Sequence, residues 1–132
     1  ICQASARGYN VCLIDERNEL SASENGVPTL EIGKRCDVML NVEKKRGIEN
    51  CVRSMKPDIV VVDEIANSDI SVLTHALTQG TGIFATAHGN DVFKVLKRLD
   101  MPFDRYILLD KTPKVGTVKK IYDKEARIIW QD

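Results

Sequence analysis

Residues 48–64 read IENCVRSMKPDIVVVDE. Ile48, Cys51, Val52 and Met55 recur at the i, i+3, i+4, i+7 spacing of one apolar helix face, and Pro57, with the restricted backbone of Lys56 before it, ends that helix. Ile59, Val60, Val61 and Val62 then run without polar alternation. That pattern predicts a strand covered on both faces, as in the middle of a parallel sheet. Asp63 and Glu64 follow at once. In an open α/β sheet the carboxyl ends of the strands border the ligand crevice, where two adjacent carboxylates can hold a hydrated Mg2+ and polarise a water beside a phosphate. The plainer alternative is an acidic pair that ends a strand and faces solvent.

Upstream, Val11, Cys12, Leu13 and Ile14 form a second fully apolar run, and it too ends in carboxylates, Asp15 and Glu16, followed by Arg17, Asn18 and Glu19. Alone, DERNEL reads as an ordinary charged loop; paired with the first run, it predicts two strands that empty their polar residues at one sheet edge. Residues 21–34, with Gly26, Pro28 and Gly33, predict an irregular connection. Arg35, Cys36, Asp37 and Val38 open a short ambiguous segment. Glu43, Lys44, Lys45 and Arg46 form a charged run before the first helix, most simply a solvated surface, alternatively one that faces a phosphate or a partner subunit.

Downstream, Asn67, Ser68 and Asp69 offer capping chemistry, and Ile70, Leu73 and Leu77 give a helical stripe that ends at Gly80. GIFATA, residues 82–87, predicts a third strand that delivers Thr86 and His88 to the same carboxyl edge. His75, inside the helix, reads as a packing or surface residue, whereas His88 just past a strand end is placed to reach a ligand. Asn90 or Asp91 can cap a third helix carrying Val92, Val95, Leu96 and Leu99, with Pro102 marking its end. Short apolar segments at 106–109, 117–122 and 127–130, separated by DKTPKVG and DKEA, predict an antiparallel meander.

A chain of 132 residues with 43% apolar content suffices for a single domain, 1–132, with a real core. Nineteen basic and nineteen acidic residues give no net charge, so nucleic acid is not an expected partner. Only Lys44, Lys45 and Arg46, and Lys111, Lys114, Lys119 and Lys120 in the tail, argue for it. The apolar runs are far shorter than a membrane span and ICQASARG lacks a signal-peptide layout, so a cytoplasmic protein is expected. Cys2, Cys12, Cys36 and Cys51 contain no C-x-x-C pair and are read as reduced structural thiols, with zinc or a disulfide as the alternatives.

The stretches VCLIDERNEL (11–20), VRSMKPDIVVVDEI (52–65), IFATAHG (83–89) and, more weakly, DRYILLD and GTVKKIYD resemble the ATPase core of the stage III sporulation AA protein family, related to secretion and pilus-motor ATPases. The Arg-Ser-Met-x-Pro-Asp lead into an apolar strand ending in Asp-Glu is the specific part of the match. The resemblance implies an α/β fold: a RecA-like P-loop NTPase core truncated at its N-terminus, with parallel central strands, flanking helices and a C-terminal antiparallel meander. It implies that Asp63 holds Mg2+ through water and that Glu64 orients or activates the attacking water. Asp15 and Glu16 would match the acidic box of the secretion ATPases and His88 their histidine box, with Thr86 as a γ-phosphate sensor. Arg17, Arg35 and Arg53 resemble arginines that meet phosphate in cis or across a subunit boundary, where a guanidinium can neutralise equatorial oxygens bidentately.

The implied function is the C-terminal part of an ATP-hydrolysing motor that powers assembly or transport through a membrane-associated complex; the alternative is a non-catalytic assembly module that keeps the fold. The implied cofactors are ATP and Mg2+. The implied partners are copies of the chain in a ring, a hexamer by family analogy, and membrane proteins, which would place the protein at the inner face of the membrane. No G-x-x-x-x-G-K-[ST] occurs in the 132 residues. The start at Ile1 fits a fragment cut after that loop, expected to bind ATP poorly by itself. Asn18, Cys36, Ala66 and NVEKKRG (41–47) stand where the family usually has Ser, Thr, Gly and a Cys-Pro-Lys segment.

Overall fold

A computed structural model describes residues 1–89, 91–100 and 103–132. The chain forms two compact units, Ile1–Ala87 and His88–Asp132.

The first unit is a parallel sheet with helices. A short helix α1 (Cys2–Ala6) precedes β1 (Val11–Asp15), and β2 (Cys36–Leu40), helix α2 (Lys44–Ser54), β3 (Ile59–Val62), helix α3 (Ile70–Thr78) and β4 (Gly82–Ala85) follow. The order across the sheet is β2-β1-β3-β4, every pair parallel. All five residues of β1 and all four of β3 are buried, as their unbroken apolar runs require of the two central strands. The ambiguous segment after Arg35 is β2, an edge strand whose Asp37 is exposed.

Both faces of this sheet are covered. On one, Val11, Leu13, Ile59 and Val61 pack with Ile32, and Ile1, Ala4, Leu20, Cys36 and Val38 close over them. On the other, Ile48 and Cys51 of α2 and Val72, Leu73 and Ala76 of α3 are buried. There α2 lies so close to β1 that a Cβ on Gly47 would come within 2.9 Å of Ile14 Cγ2 and 3.0 Å of Val42 Cγ1. Cys12 and Cys51 face each other across this contact, sulfur against sulfur. The cause is placement: one points out of the strand toward the helix, the other out of the helix toward the strand. α2 also begins earlier than its apolar stripe suggests, taking in the charged run from Lys44 onward.

The second unit carries helix α4 (Val92–Leu99) and strands β5 (Arg105–Asp110), β6 (Thr117–Asp123) and β7 (Ile128–Gln131), an antiparallel sheet in the order β5-β6-β7 as the meander pattern predicts. Asp91 caps α4, its carboxylate accepting from the Lys94 amide at 3.2 Å. Asn90 as the alternative cap, and Pro102 as the helix stop, lie outside the described residues. Phe93 of α4 meets Tyr122 of β6 edge to face, at a centroid distance of 6.3 Å. Ile107, Leu109, Ile128, Ile129 and Trp130 remain exposed.

Candidate functional site at the carboxyl edge of the parallel sheet

Register decides which polar residues meet. Ile14 lies beside Val62, and Val62 beside Ala85, so the next residues along, Asp15, Asp63 and Thr86, leave the sheet at one level. Six of the residues expected at the site, Asp15, Glu16, Arg17, Asp63, Glu64 and Thr86, therefore stand at the carboxyl edge of three adjacent strands.

Asp15 is 1% exposed and directed entirely at its own loop. Its carboxylate accepts from the amides of Glu19 (2.9 Å), Leu20 (3.2 Å) and Ser21 (2.8 Å), and from the Ser21 hydroxyl at 2.7 Å. Burial pushes its pKa up, but the hydrogen bonds from the Ser21 side chain and from the amides of Ser21, Leu20 and Glu19 outweigh it and hold the carboxyl below its ordinary value. Asp15 thus folds the 16–21 loop, and the loop in turn presents Glu16 and Arg17 to solvent.

Arg17 reaches back over the edge. Its Nη2 lies 2.8 Å from Glu64 Oε2, 3.2 Å from Glu19 Oε2 and 3.4 Å from Asp63 Oδ2. The hydrogen bond to Glu64, then the charges of Glu19 and Glu64, raise its pKa further above the range in which it would ever release its proton. A cation resting against three carboxylate side chains shows that this edge suits positive charge. Among the described residues no three or more His, Cys, Asp or Glu side chains gather as a metal cage. The two carboxylates of Asp63 and Glu64 offer the oxygen donors that a hydrated Mg2+ takes.

Glu64 has φ 46°, a left-handed backbone that side-chain-bearing residues seldom adopt. Three hydrogen bonds fix it there. Its amide donates to Thr86 Oγ1 at 3.0 Å, its carbonyl accepts from Lys44 Nζ at 2.9 Å, and the amide of buried Ile65 donates to the Thr86 carbonyl at 2.9 Å. Thr86 therefore joins β4 to the loop after β3.

Lys44 is the residue that sequence reading missed. Expected in a solvated charged run, its side chain is only 11% exposed and also sits 3.8 Å from Asp69 Oδ2, which accepts from the Ala66 amide at 2.9 Å. Lys45 and Arg46 are exposed as expected. Nothing in the run KKR distinguishes the first lysine from its neighbours; only its place at the start of a helix beside the β3 loop does.

Arg35 and Arg53 stand elsewhere on the first unit. Arg35 immediately precedes β2 and binds Asn10 Oδ1 at 2.6 Å, and Asn10 immediately precedes β1, so both mark the amino edge of the sheet. Arg53 is exposed in the last turn of α2, which leads to the start of β3 and hence to that same amino edge. His88 opens the second unit, where its carbonyl accepts from Arg98 Nη2 at 2.9 Å. Exposed His75 on α3 fits the surface reading.

The profile of the family described as "Sporulation stage III, protein AA" matches residues 2–129. "Stage III sporulation protein AA" of Bacillus subtilis (strain 168) is 34% identical over 125 residues, covering 89% of this chain and 41% of that protein. The chain thus spans about two fifths of the length of the curated relative it matches. No helix among the described residues is long and apolar enough to cross a membrane.

Proposed function

The chain belongs to the sporulation stage III protein AA family, and from that premise we propose that it forms the C-terminal part of an ATP-hydrolysing motor core of RecA-like type, working in a membrane-associated complex. The observation that carries the reading is the shared carboxyl edge: Asp15 to Arg17, Asp63 with Glu64, and Thr86 leave three parallel strands side by side. Open parallel sheets bind their ligands at that edge.

In this mechanism Asp63 would hold Mg2+ through water and Glu64 would orient the water that attacks the terminal phosphate. Mg2+ supplies electrostatic neutralisation of the phosphate oxygens. With nucleotide bound, Arg17 would exchange the carboxylates of Glu64 and Asp63 for the phosphate. Asp15 keeps the 16–21 loop folded while Arg17 moves. Arg35 and Arg53, at the opposite edge, suit contacts with a neighbouring subunit in a ring better than contacts with nucleotide in cis. The sequence contains no glycine-rich phosphate loop, so the 132 residues alone contribute side chains to the phosphates but no amide cradle.

Calorimetric titration of Mg-ATP tests the reading. The 132-residue chain is expected to bind weakly or not at all, and the full-length gene product to bind and hydrolyse. Submicromolar binding by the short chain, or a full-length protein without hydrolysis, overturns it. A second reading, an assembly module without catalysis, draws on the exposed Ile107, Leu109, Ile128, Ile129 and Trp130 of the second unit. It predicts that cells carrying Glu64→Gln sporulate as the wild type does.

A further inference from the structure

We infer that Lys44 is a positioning residue for Glu64, acting through the backbone of the strand-end turn and never touching the nucleotide. The inference rests on the reading of Glu64 as the group that orients the attacking water.

Three observations lead to it. First, the placement of Lys44 has no local explanation. It opens α2, where the helix presents unpaired amides and partial positive charge, and the first turn carries no acidic residue. A cation there opposes the helix dipole, so something outside the helix must account for it. Second, its side chain is mostly withdrawn from water, at 11% exposure, although a lysine at a helix start can reach solvent at will. Third, the ammonium is spent on one turn. It donates to the Glu64 carbonyl at 2.9 Å and faces Asp69 Oδ2 at 3.8 Å, and Asp69 in turn accepts from the amide of Ala66.

The geometry explains what such a clamp does. Glu64 stands at φ 46°, from which it would relax toward an extended or helical backbone if unsupported. Thr86 holds its amide and Lys44 holds its carbonyl, so the peptide on each side of its Cα is anchored to a different element, β4 on one side and α2 on the other. With both peptides fixed, the direction of the Cα–Cβ bond is fixed, and the carboxylate sweeps only the arc its own rotamers allow. An unanchored carbonyl would let the turn rotate and move the carboxylate by an ångström or more, a displacement that in a positioned general base costs up to about a hundredfold in rate.

The test uses the full-length protein with Lys44→Met, Lys44→Arg and Glu64→Gln beside the wild type, read by steady-state Mg-ATP hydrolysis and by amide hydrogen exchange. For Lys44→Met the expected result is a kcat about tenfold lower or more, a KM for ATP within about twofold, and faster exchange confined to peptides covering residues 63–66. Lys44→Arg, which keeps the charge on a longer fork, should recover part of kcat. A fall in kcat without faster exchange at 63–66, or faster exchange with wild-type kcat, overturns the positioning role. Should Lys44→Met fail to fold, Lys44→Ala, which leaves no donor at that place, is measured instead, and wild-type kcat with wild-type exchange there overturns the role equally. Wild-type turnover in Glu64→Gln sinks the reading of Glu64 instead, and the exchange data then still report whether Lys44 holds the turn.

Discussion

The tips of β1 and β3 look alike in sequence, four apolar residues and then Asp-Glu, yet the two acidic pairs are held in opposite ways. At β1 the first carboxylate turns inward and is consumed by its own loop, with four donors from Glu19 to Ser21 around a side chain at 1% exposure. At β3 the backbone, not the side chain, is consumed: Thr86 and Lys44 hold the Glu64 peptide, while the carboxylates of Asp63 and Glu64 face outward toward the exposed Arg17. A carboxylate saturated by amides is architecture. One whose partner is a solvent-exposed side chain on a loop can exchange that partner for a ligand.

The contrast is sharpened most by removing Asp15. Asp15→Ala strips the acceptor from four donors in a buried site, and a loss of about 2–4 kcal/mol in unfolding free energy is expected by urea denaturation. The effect carries a pH signature. The folded pKa of Asp15 lies below its ordinary value of about 3.8, so its contribution is fully present above that pH and drains away as pH falls through the lower folded value. The stability difference between wild type and Asp15→Asn should therefore shrink below about pH 4. A difference that instead grew on acidification would mean that Asp15 is protonated in the folded protein.

Next in size is Gly47→Ala. The added methyl meets Ile14 Cγ2 at 2.9 Å and Val42 Cγ1 at 3.0 Å, so about 1–3 kcal/mol of destabilisation is expected, with α2 displaced from β1. Because Lys44 sits on the same helix, the displacement should also accelerate exchange in the Glu64 turn. Thr86→Val, which removes the acceptor from an amide near the surface, should cost about 1 kcal/mol. Smallest is Arg17→Ala. Its ion pairs are exposed, and its melting temperature should lie within about 2 °C of wild type. A large drop there would place Arg17 with Asp15, as structure, and break the comparison.

Much of the fold was legible because the central strands of a parallel sheet are buried on both faces and must read as unbroken apolar runs: Val11 to Ile14 and Ile59 to Val62 did so. β2 was not, because it is an edge strand that carries the exposed Asp37, and an edge tolerates polar residues. At the site, strand-end carboxylates and Thr86 were legible from position alone, since register carries neighbouring strand ends to one level. Asp15 and Glu64 could not be told apart that way: what separates them is a loop that folds back on one and a lysine and a threonine that reach the other. Lys44 was hidden inside KKR, where charge predicts solvent and only tertiary packing withdraws one of three similar side chains. Arg35 and Arg53 share a residue type with Arg17, but one sits just before β2 and the other in the last turn of α2 instead of past a strand end, and composition does not record that difference.

The central claim, chemistry at the tip of β3 and architecture at the tip of β1, is tested most directly by measuring Mg-ATP turnover of Glu64→Gln and Asp15→Asn in the full-length protein, each at a temperature where it is folded. The account predicts that Glu64→Gln melts with the wild type but loses turnover by about a hundredfold or more. Asp15→Asn should melt earlier and keep most of its turnover while folded. Wild-type turnover in Glu64→Gln, or an Asp15→Asn protein as stable as wild type and catalytically dead, would contradict it.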